Sequence, residues 1–418
     1  MPGNLSEASQ RRNGATREPR RVYGMSGLSL RCTSVGRNLP RRIGLNAVFL
    51  EPPMGGLETY VRAVAPQLVR LAPDVRFSVF CSPRGHAQLS REDWSGDVEL
   101  VTHPLIGVRG LKAISEMTVL GALAGRRVDL LHSVAFTAPL RTRAVNVVML
   151  PDVIWIVAPD EDQAATMRLW RLIVPLIVRR ADRLIAISRS GAEDIALHLR
   201  VPRERIDVVP LGPGIEETVT PTPQRALRER LALGTGPIVL AVSAKKVHKN
   251  LVRLIEAMRI VAEREPTAML VLPGRPTEHE QQLRALATRL GIAANVAFPP
   301  YVDEADLEGL YAAAACFVLP SLNEGFGLPI LEAMRRRVPV ACSNVSAMPE
   351  VAGDAARYFD PLRSEDIAAA VLDLLGDPAL TSRLVAAGAE RARAFSWEAT
   401  AELTLDSYER AWHARITA

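Results

Sequence analysis

At 418 residues the chain exceeds what one hydrophobic core usually holds, and 48% hydrophobic with 23% charged residues is the balance of a globular protein, so two domains are expected. No run approaches the ~18 consecutive apolar residues of a transmembrane helix, and four cysteines with seven scattered histidines supply neither a disulfide framework nor metal-ligand spacing. The net charge of +5 does not mark a nucleic-acid binder, because residues 1–42 hold nine arginines against Glu7 and Glu18, a balance of +7 that leaves about −2 for the rest.

Residues 1–40, rich in Arg, Ser, Gly and Asn, are expected to be a disordered basic extension. They lack the apolar core of a secretory signal, and both a transit peptide and a true start at or beyond Met25 fit them. With reduced thiols the chain is expected in the cytoplasm, at the inner face of a membrane if the basic tail touches anionic headgroups.

A first domain is expected over 41–215. Residues 42–50 read as a strand, and Gly55, Gly56 and Glu58 form the turn before a helix carrying Leu57, Val61, Val64, Ala65 and Leu68. Short apolar runs recur at 77–80, 98–101, 130–131, 145–150, 184–187 and 208–209 with helical stretches between most of them, which predicts a parallel sheet covered on both faces. Polar residues close two of these strands, where such sheets place their sites. His132 either meets a substrate hydroxyl or is a satisfied structural histidine; Asp152 either accepts a hydrogen bond from an acceptor hydroxyl or caps the next turn. The longest apolar candidate, Leu172 to Val178, is flanked by arginines and too short to span a bilayer. Pro and Gly between 210 and 223 suit a linker.

A second domain is expected over 216–395. Behind the strand at 238–242, Lys245, Lys246, His248 and Lys249 gather where a helix with Leu251, Leu254, Ile255 and Met258 begins, beside Asn250. Positive charge there opposes the helix dipole, a conflict that an anion relieves. Strands at 269–272, ending at Gly274, and at 295–298, leading to Tyr301, follow. The strand Cys316–Leu319 stops at Pro320, and a loop with Glu324, Gly325, Phe326 and Gly327 runs into Leu328 and Pro329. Pro329 is expected at the first helical position, with Glu332 in the first turn. Glycines let this loop aim amides at a ligand, a helix start suits a phosphate, and two carboxylates suit the hydroxyls of a ribose or sugar. Residues 396–418 read as a last helix.

The two glutamates with the Gly-Phe-Gly-Leu-Pro between them resemble the double-glutamate signature of retaining glycosyltransferases of family 4, whose GT-B fold is α/β, two Rossmann-like doubly wound domains around a cleft. The likeness runs over roughly 41–418. It implies transfer of a sugar from a nucleotide diphosphate sugar to a carbohydrate or lipid-linked hydroxyl, in glycan, polysaccharide or glycolipid assembly, without cofactor or metal. By resemblance Lys249 contacts the pyrophosphate, Glu332 the ribose and Glu324 the transferred sugar; Gly55, Gly56 and Glu58 lie near the phosphates and acceptor, and the last helix packs back on the first domain. The chain departs from the family pattern at Pro151 and Val134, where histidines are common, and at Ser243, where arginine is common. The histidine role then falls to His132 and the second cation to Lys245 or Lys246. The alternatives are a donor-binding scaffold without turnover and a GT-B sugar-nucleotide epimerase.

Overall fold

The computed structural model describes residues 37–50, 56–106, 112–157, 164–214, 219–300 and 302–417. Gly55, Tyr301 and positions 1–36 of the basic extension lie outside the described residues.

Two parallel sheets form. The first holds β1 (Arg42–Asn46), β2 (Arg76–Phe80), β3 (Glu99–Val101), β4 (Leu130–Ser133), β5 (Val145–Leu150), β6 (Arg183–Ala186) and β7 (Ile206–Val208), in the order β3-β2-β1-β4-β5-β6-β7. The second holds β8 (Ile238–Leu240), β9 (Met269–Val271), β10 (Val296–Ala297), β11 (Ala314–Leu319), β12 (Val340–Ser343) and β13 (Ala356–Phe359), in the order β10-β9-β8-β11-β12-β13. Helices on both faces demand strands apolar on both sides, and β5 is buried at every position. The helix Leu251–Arg264 meets this with a single apolar stripe, burying Leu251, Leu254, Ile255, Met258 and Val261. Strand order reverses between β1 and β4 in one sheet and between β8 and β11 in the other, so the loops leaving these pairs diverge and open a crevice at each sheet's carboxyl edge. Together these are two Rossmann-like domains.

The strand expected over 42–50 ends at Asn46, whose Oδ1 accepts the Val48 amide at 3.2 Å and turns the chain. Residues 37–40, grouped with the disordered extension on composition, are instead placed: Arg37 pairs with Asp406, and the Asn38 amide donates to Glu409 at 2.6 Å.

Those partners belong to the last helix, Trp397–Thr417, which crosses back onto the first domain against the helix Gly56–Leu71 and over strands β5 and β6. Trp397 Nε1 donates to Pro213 O at 2.6 Å and Thr400 Oγ1 to Pro210 O at 2.8 Å. His132 corrects the expectation of a site histidine. β4 runs on to Ser133, so His132 lies inside the strand rather than at its end. It is fully buried, 2.7 Å from the Tyr408 hydroxyl through Nδ1 and edge-on to Tyr60. Burial pulls its imidazole down to about 3, which keeps it neutral.

Tyr408→Phe leaves His132 without its partner and should cost about 1–3 kcal/mol in urea unfolding. Because the folded imidazole refuses a proton that the unfolded one accepts, His132's contribution is fully present above 6.5 and declines as pH falls from there towards 3. Denaturant melts of wild type and His132→Asn between those limits measure that slope.

Candidate active site

Crevices of the two sheets face each other, and a glycine of the second domain lies tight against the first. A β-carbon on Gly325 would lie 2.2 Å from the Pro151 carbonyl oxygen and 3.2 Å from Asp152 Cβ, so no other residue fits while the domains stand this close. Ser188 Oγ, at the end of β6, donates to Gly325 O at 2.8 Å and accepts from the Gly191 amide as cap of the helix Arg189–Leu199. Glu350 of the second domain accepts from the Arg189 amide at 2.9 Å through both oxygens and from Ser190 at 3.2 Å, so it also sits on that helix start.

Within the second domain the loops after β8 and β11 are joined. The Leu322 amide donates to His248 O at 2.9 Å, and Asn250 Nδ2 reaches Pro320 O at 3.0 Å and Pro361 O at 2.7 Å. This brings Lys249 Nζ to 2.7 and 2.9 Å from the oxygens of Glu324, with the side chains 17% and 10% exposed. Ser321 Oγ donates to Glu324 Oε1 at 2.6 Å, while Ser346 Oγ accepts from the Glu324 amide at 3.1 Å. Removing one partner of so shielded a pair leaves a stranded charge, at a cost of ~3–5 kcal/mol. The Lys249 ammonium has three donors, of which Glu324 takes two.

Asp152 faces this pair from the first domain. Burial raises its carboxyl above the usual aspartate range and the Glu324 charge adds to that; the Ile154 amide at 3.0 Å, Lys249 and Lys246 act in the opposite direction. A carboxylate whose proton affinity is raised, beside two lysines and a glutamate, can accept a hydrogen bond from a hydroxyl entering the cleft.

Gly327 has φ 99° and precedes the helix Leu328–Arg335, in which Pro329 is second rather than first. Glu332 therefore lies beyond the first turn, a correction with a geometric consequence. Its carboxylate projects sideways, accepting from the Tyr311 hydroxyl at 3.2 Å beneath Gly214, where a β-carbon would come within 2.9 Å of Oε1. Burial raises Glu332, while Arg336 and the Tyr311 hydrogen bond pull it down.

Other expected site residues take supporting places. Lys245 is 1% exposed and is spent on Glu280 at 3.1 Å and Gly274 O at 2.9 Å, so it fixes the Gly274 turn instead of offering a free charge. Lys246 is the second lysine whose charge acts on Asp152. Asn250 is a buried brace with φ 58°. Phe326 packs into the core edge-on to Phe395. Across the crevice Gly56 faces Leu328, at 3.5 Å from an added β-carbon, and Glu58 stands in the first turn of its helix near Arg62. Ser188, Ser321, Ser346, Tyr311 and Glu350 were missed as site residues, since single polar side chains leave no spacing pattern. Among the described residues no three His, Cys, Asp or Glu side chains group as a metal centre requires.

Comparison with known proteins finds two family models in succession. Residues 54–216 match "Glycosyltransferase Family 4" and residues 223–391 match "Glycosyl transferases group 1". O-antigen chain mannosyltransferase B of Escherichia coli is 32% identical over 232 residues, 55% of this chain and 61% of that protein. A D-inositol 3-phosphate glycosyltransferase of Streptomyces avermitilis is 31% identical over 250 residues, 57% of this chain and 54% of that protein. The matches thus span little more than half the length of these relatives. Among solved structures, sucrose-phosphate synthase from Thermosynechococcus elongatus superposes with TM-score 0.68 at 21% identity, over 90% of this chain and 100% of that one. Anabaena HepE in complex with UDP and glucose gives 0.68 at 21%, over 88% and 98%.

Gly325→Ala should prevent this approach of the domains and lower turnover by about 100-fold, as a misplacement near 1 Å does, while ligand affinity of the second domain, read by calorimetry, changes far less. Asp152→Asn keeps the Ile154 hydrogen bond and removes a carboxylate whose raised pKa makes its ionised form a cost to the fold. That cost is absent below the ordinary aspartate value, grows as pH rises and is complete above the raised one. The melting temperature of Asp152→Asn at pH 7 should therefore equal or exceed wild type.

Proposed function

Because the chain belongs to the group 1 glycosyltransferases, with a first domain of family 4 and a GT-B architecture, we propose that it moves a sugar from a nucleoside diphosphate sugar to a hydroxyl acceptor with retention at the anomeric carbon, in the assembly of a glycan. The observation that carries this reading is the Lys249–Glu324 pair at the β8–β11 crevice, with Asp152 facing it across the cleft. Transferases among the relatives support transfer over the epimerase and binding-only alternatives.

In this reaction the bond between the anomeric carbon and the β-phosphate oxygen breaks, and a bond to the acceptor oxygen forms on the same face. The acceptor's proton passes to the departing phosphate oxygen, so charge and atoms balance without an enzyme nucleophile. Negative charge grows on the diphosphate, and Lys249's remaining donor, Lys246 and the uncapped start of the helix Leu328–Arg335 can stabilise it. Positive charge grows on the sugar ring, to which Glu324 offers both hydrogen bonding and a compensating field. Glu332, with one oxygen held by Tyr311, has lone pairs left for the two ribose hydroxyls. Asp152 orients the acceptor hydroxyl.

No cofactor enters this scheme, and the two lysines replace a divalent cation on the diphosphate. The acceptor is a carbohydrate or lipid-linked glycan, and we assign the reaction to the cytoplasm, where nucleotide sugars are available. HepE, a structural neighbour, is described with UDP and glucose, which makes a uridine donor the first to test.

A thermal-shift panel of uridine, guanosine, adenosine and thymidine diphosphate sugars identifies the donor, since ligand at 100 times its Kd adds ~2.7 kcal/mol. With that donor, Glu332→Gln should weaken binding whatever the sugar, by ~1.5–3 kcal/mol for the lost charged hydrogen bonds. Glu324→Gln should instead lower kcat with a smaller change in KM. The anomeric proton coupling in the product, read by NMR, should match that of the donor, and inversion would refute the stereochemical assignment. Turnover should survive exhaustive dialysis against a chelator.

A further inference from the structure

The helix Ala164–Arg180 carries apolar side chains on two sides, although the fold uses only one. Met167, Val174, Ile177 and Val178 are buried in the core over the β5–β6 half of the first sheet, and Trp170 stacks on Phe136 at 4.7 Å. On the other side Leu169, Leu172 and Leu176 stand in solvent, 45%, 71% and 44% exposed. They recur three and four residues apart and so share one face.

Every charged side chain of this helix is an arginine. Arg168, Arg171, Arg179 and Arg180 are all exposed, and residues 164–180 contain no Asp, Glu, Asn or Gln. The basic surface continues into exposed Arg141 and Arg143, because Arg180 donates to Leu140 O at 3.3 Å and ties that loop to the helix. Asp182, just past the helix, already accepts the Asn146 amide at 2.8 Å and lies 3.6 Å from Arg415. The acidic run Asp160, Glu161 and Asp162 precedes the helix in sequence, outside the described residues.

Solvated helix faces normally interleave acids and bases. Leucine set among arginine is instead the composition of a helix lying in a membrane interface, where apolar side chains enter the acyl boundary and arginines extend to the phosphates. A second copy of the same face would bring arginine onto arginine, which disfavours self-association as its use.

We propose that the Leu169–Leu172–Leu176 face, with its flanking arginines, docks this protein on an anionic lipid bilayer. The helix is suitably placed, since Trp155 packs edge-on to Trp170 with ring centroids 6.4 Å apart, only three residues beyond Asp152. Docking would thus hold the Asp152 end of the cleft near the headgroups, where a lipid-linked hydroxyl is presented.

The test is co-sedimentation of the full chain with phosphatidylcholine vesicles, with and without phosphatidylglycerol, in the absence of any donor, so its outcome is independent of the transfer reading. Wild type should pellet with the anionic vesicles and remain in solution with the neutral ones. Leu172→Glu should lower the anionic partition at least about tenfold, and Arg168→Gln with Arg171→Gln about 25-fold, with melting temperatures unchanged for these exposed positions. Binding that is absent in wild type, equal on both vesicle types, or undiminished in both variants overturns the proposal; the last result would assign adhesion to the basic tail. A concentration-dependent dimer that Leu172→Glu abolishes, without vesicle binding, overturns it in favour of a second copy.

Discussion

A lysine and a glutamate share one shielded corner of this protein, and the surrounding structure exists to keep them there. Two charges taken from water recover the desolvation cost only if their geometry is held and their remaining valences are satisfied. Here the holding is done by backbone and small polar groups: the Leu322 amide on His248 O, Asn250 on Pro320 and Pro361, and Ser321 on the Glu324 carboxylate itself. The crevice at the β8–β11 strand reversal brings these loops side by side, and the order of strands in the sheet thereby sets the electrostatics of the site.

Contacts at the mouth of the cleft have a different character from those of the cores. Ser188 on Gly325 O and the Arg189 and Ser190 amides on Glu350 are hydrogen bonds, and the Gly325–Pro151 approach is backbone against backbone. Hydrogen bonds exchange with water at a net ~0.5–1.5 kcal/mol each, whereas parted apolar surfaces are costly in proportion to area. A cleft closed by polar groups can open to admit a donor and close again at modest cost, while the last helix keeps the domains tethered.

What was legible in the sequence follows from where the physics is local. Short apolar runs separated by helical periodicity disclosed the seven strands of the first sheet and β8 to β11 of the second, because a strand buried on both faces has no other pattern, while β12 and β13 went unread. The double-glutamate segment was legible because its parts lie within a dozen residues. Long-range pairings were not. Lys245 and Lys249 look alike in sequence, and only the fold sends one to Glu280 and the other to Glu324. His132 stands at what reads as a strand end, yet one more paired residue and a tyrosine from the far end of the chain put it in the core. Glu332 slipped from the first turn because a proline near a helix start is expected at its first position. Gly327, with its left-handed φ, instead starts the helix early enough that Leu328 comes first and Pro329 second.

The last helix gives the first domain a history as well as a shape. Tyr408 is 276 residues downstream of the histidine that it covers. At 5–20 residues per second a ribosome needs about 15 to 55 s to deliver it. Through that interval the nascent first sheet has one flank unsealed, and the second domain can finish folding before the first is complete. The core of the first domain can therefore be completed only after the whole second domain has been synthesised, and until then its unsealed flank is exposed apolar surface.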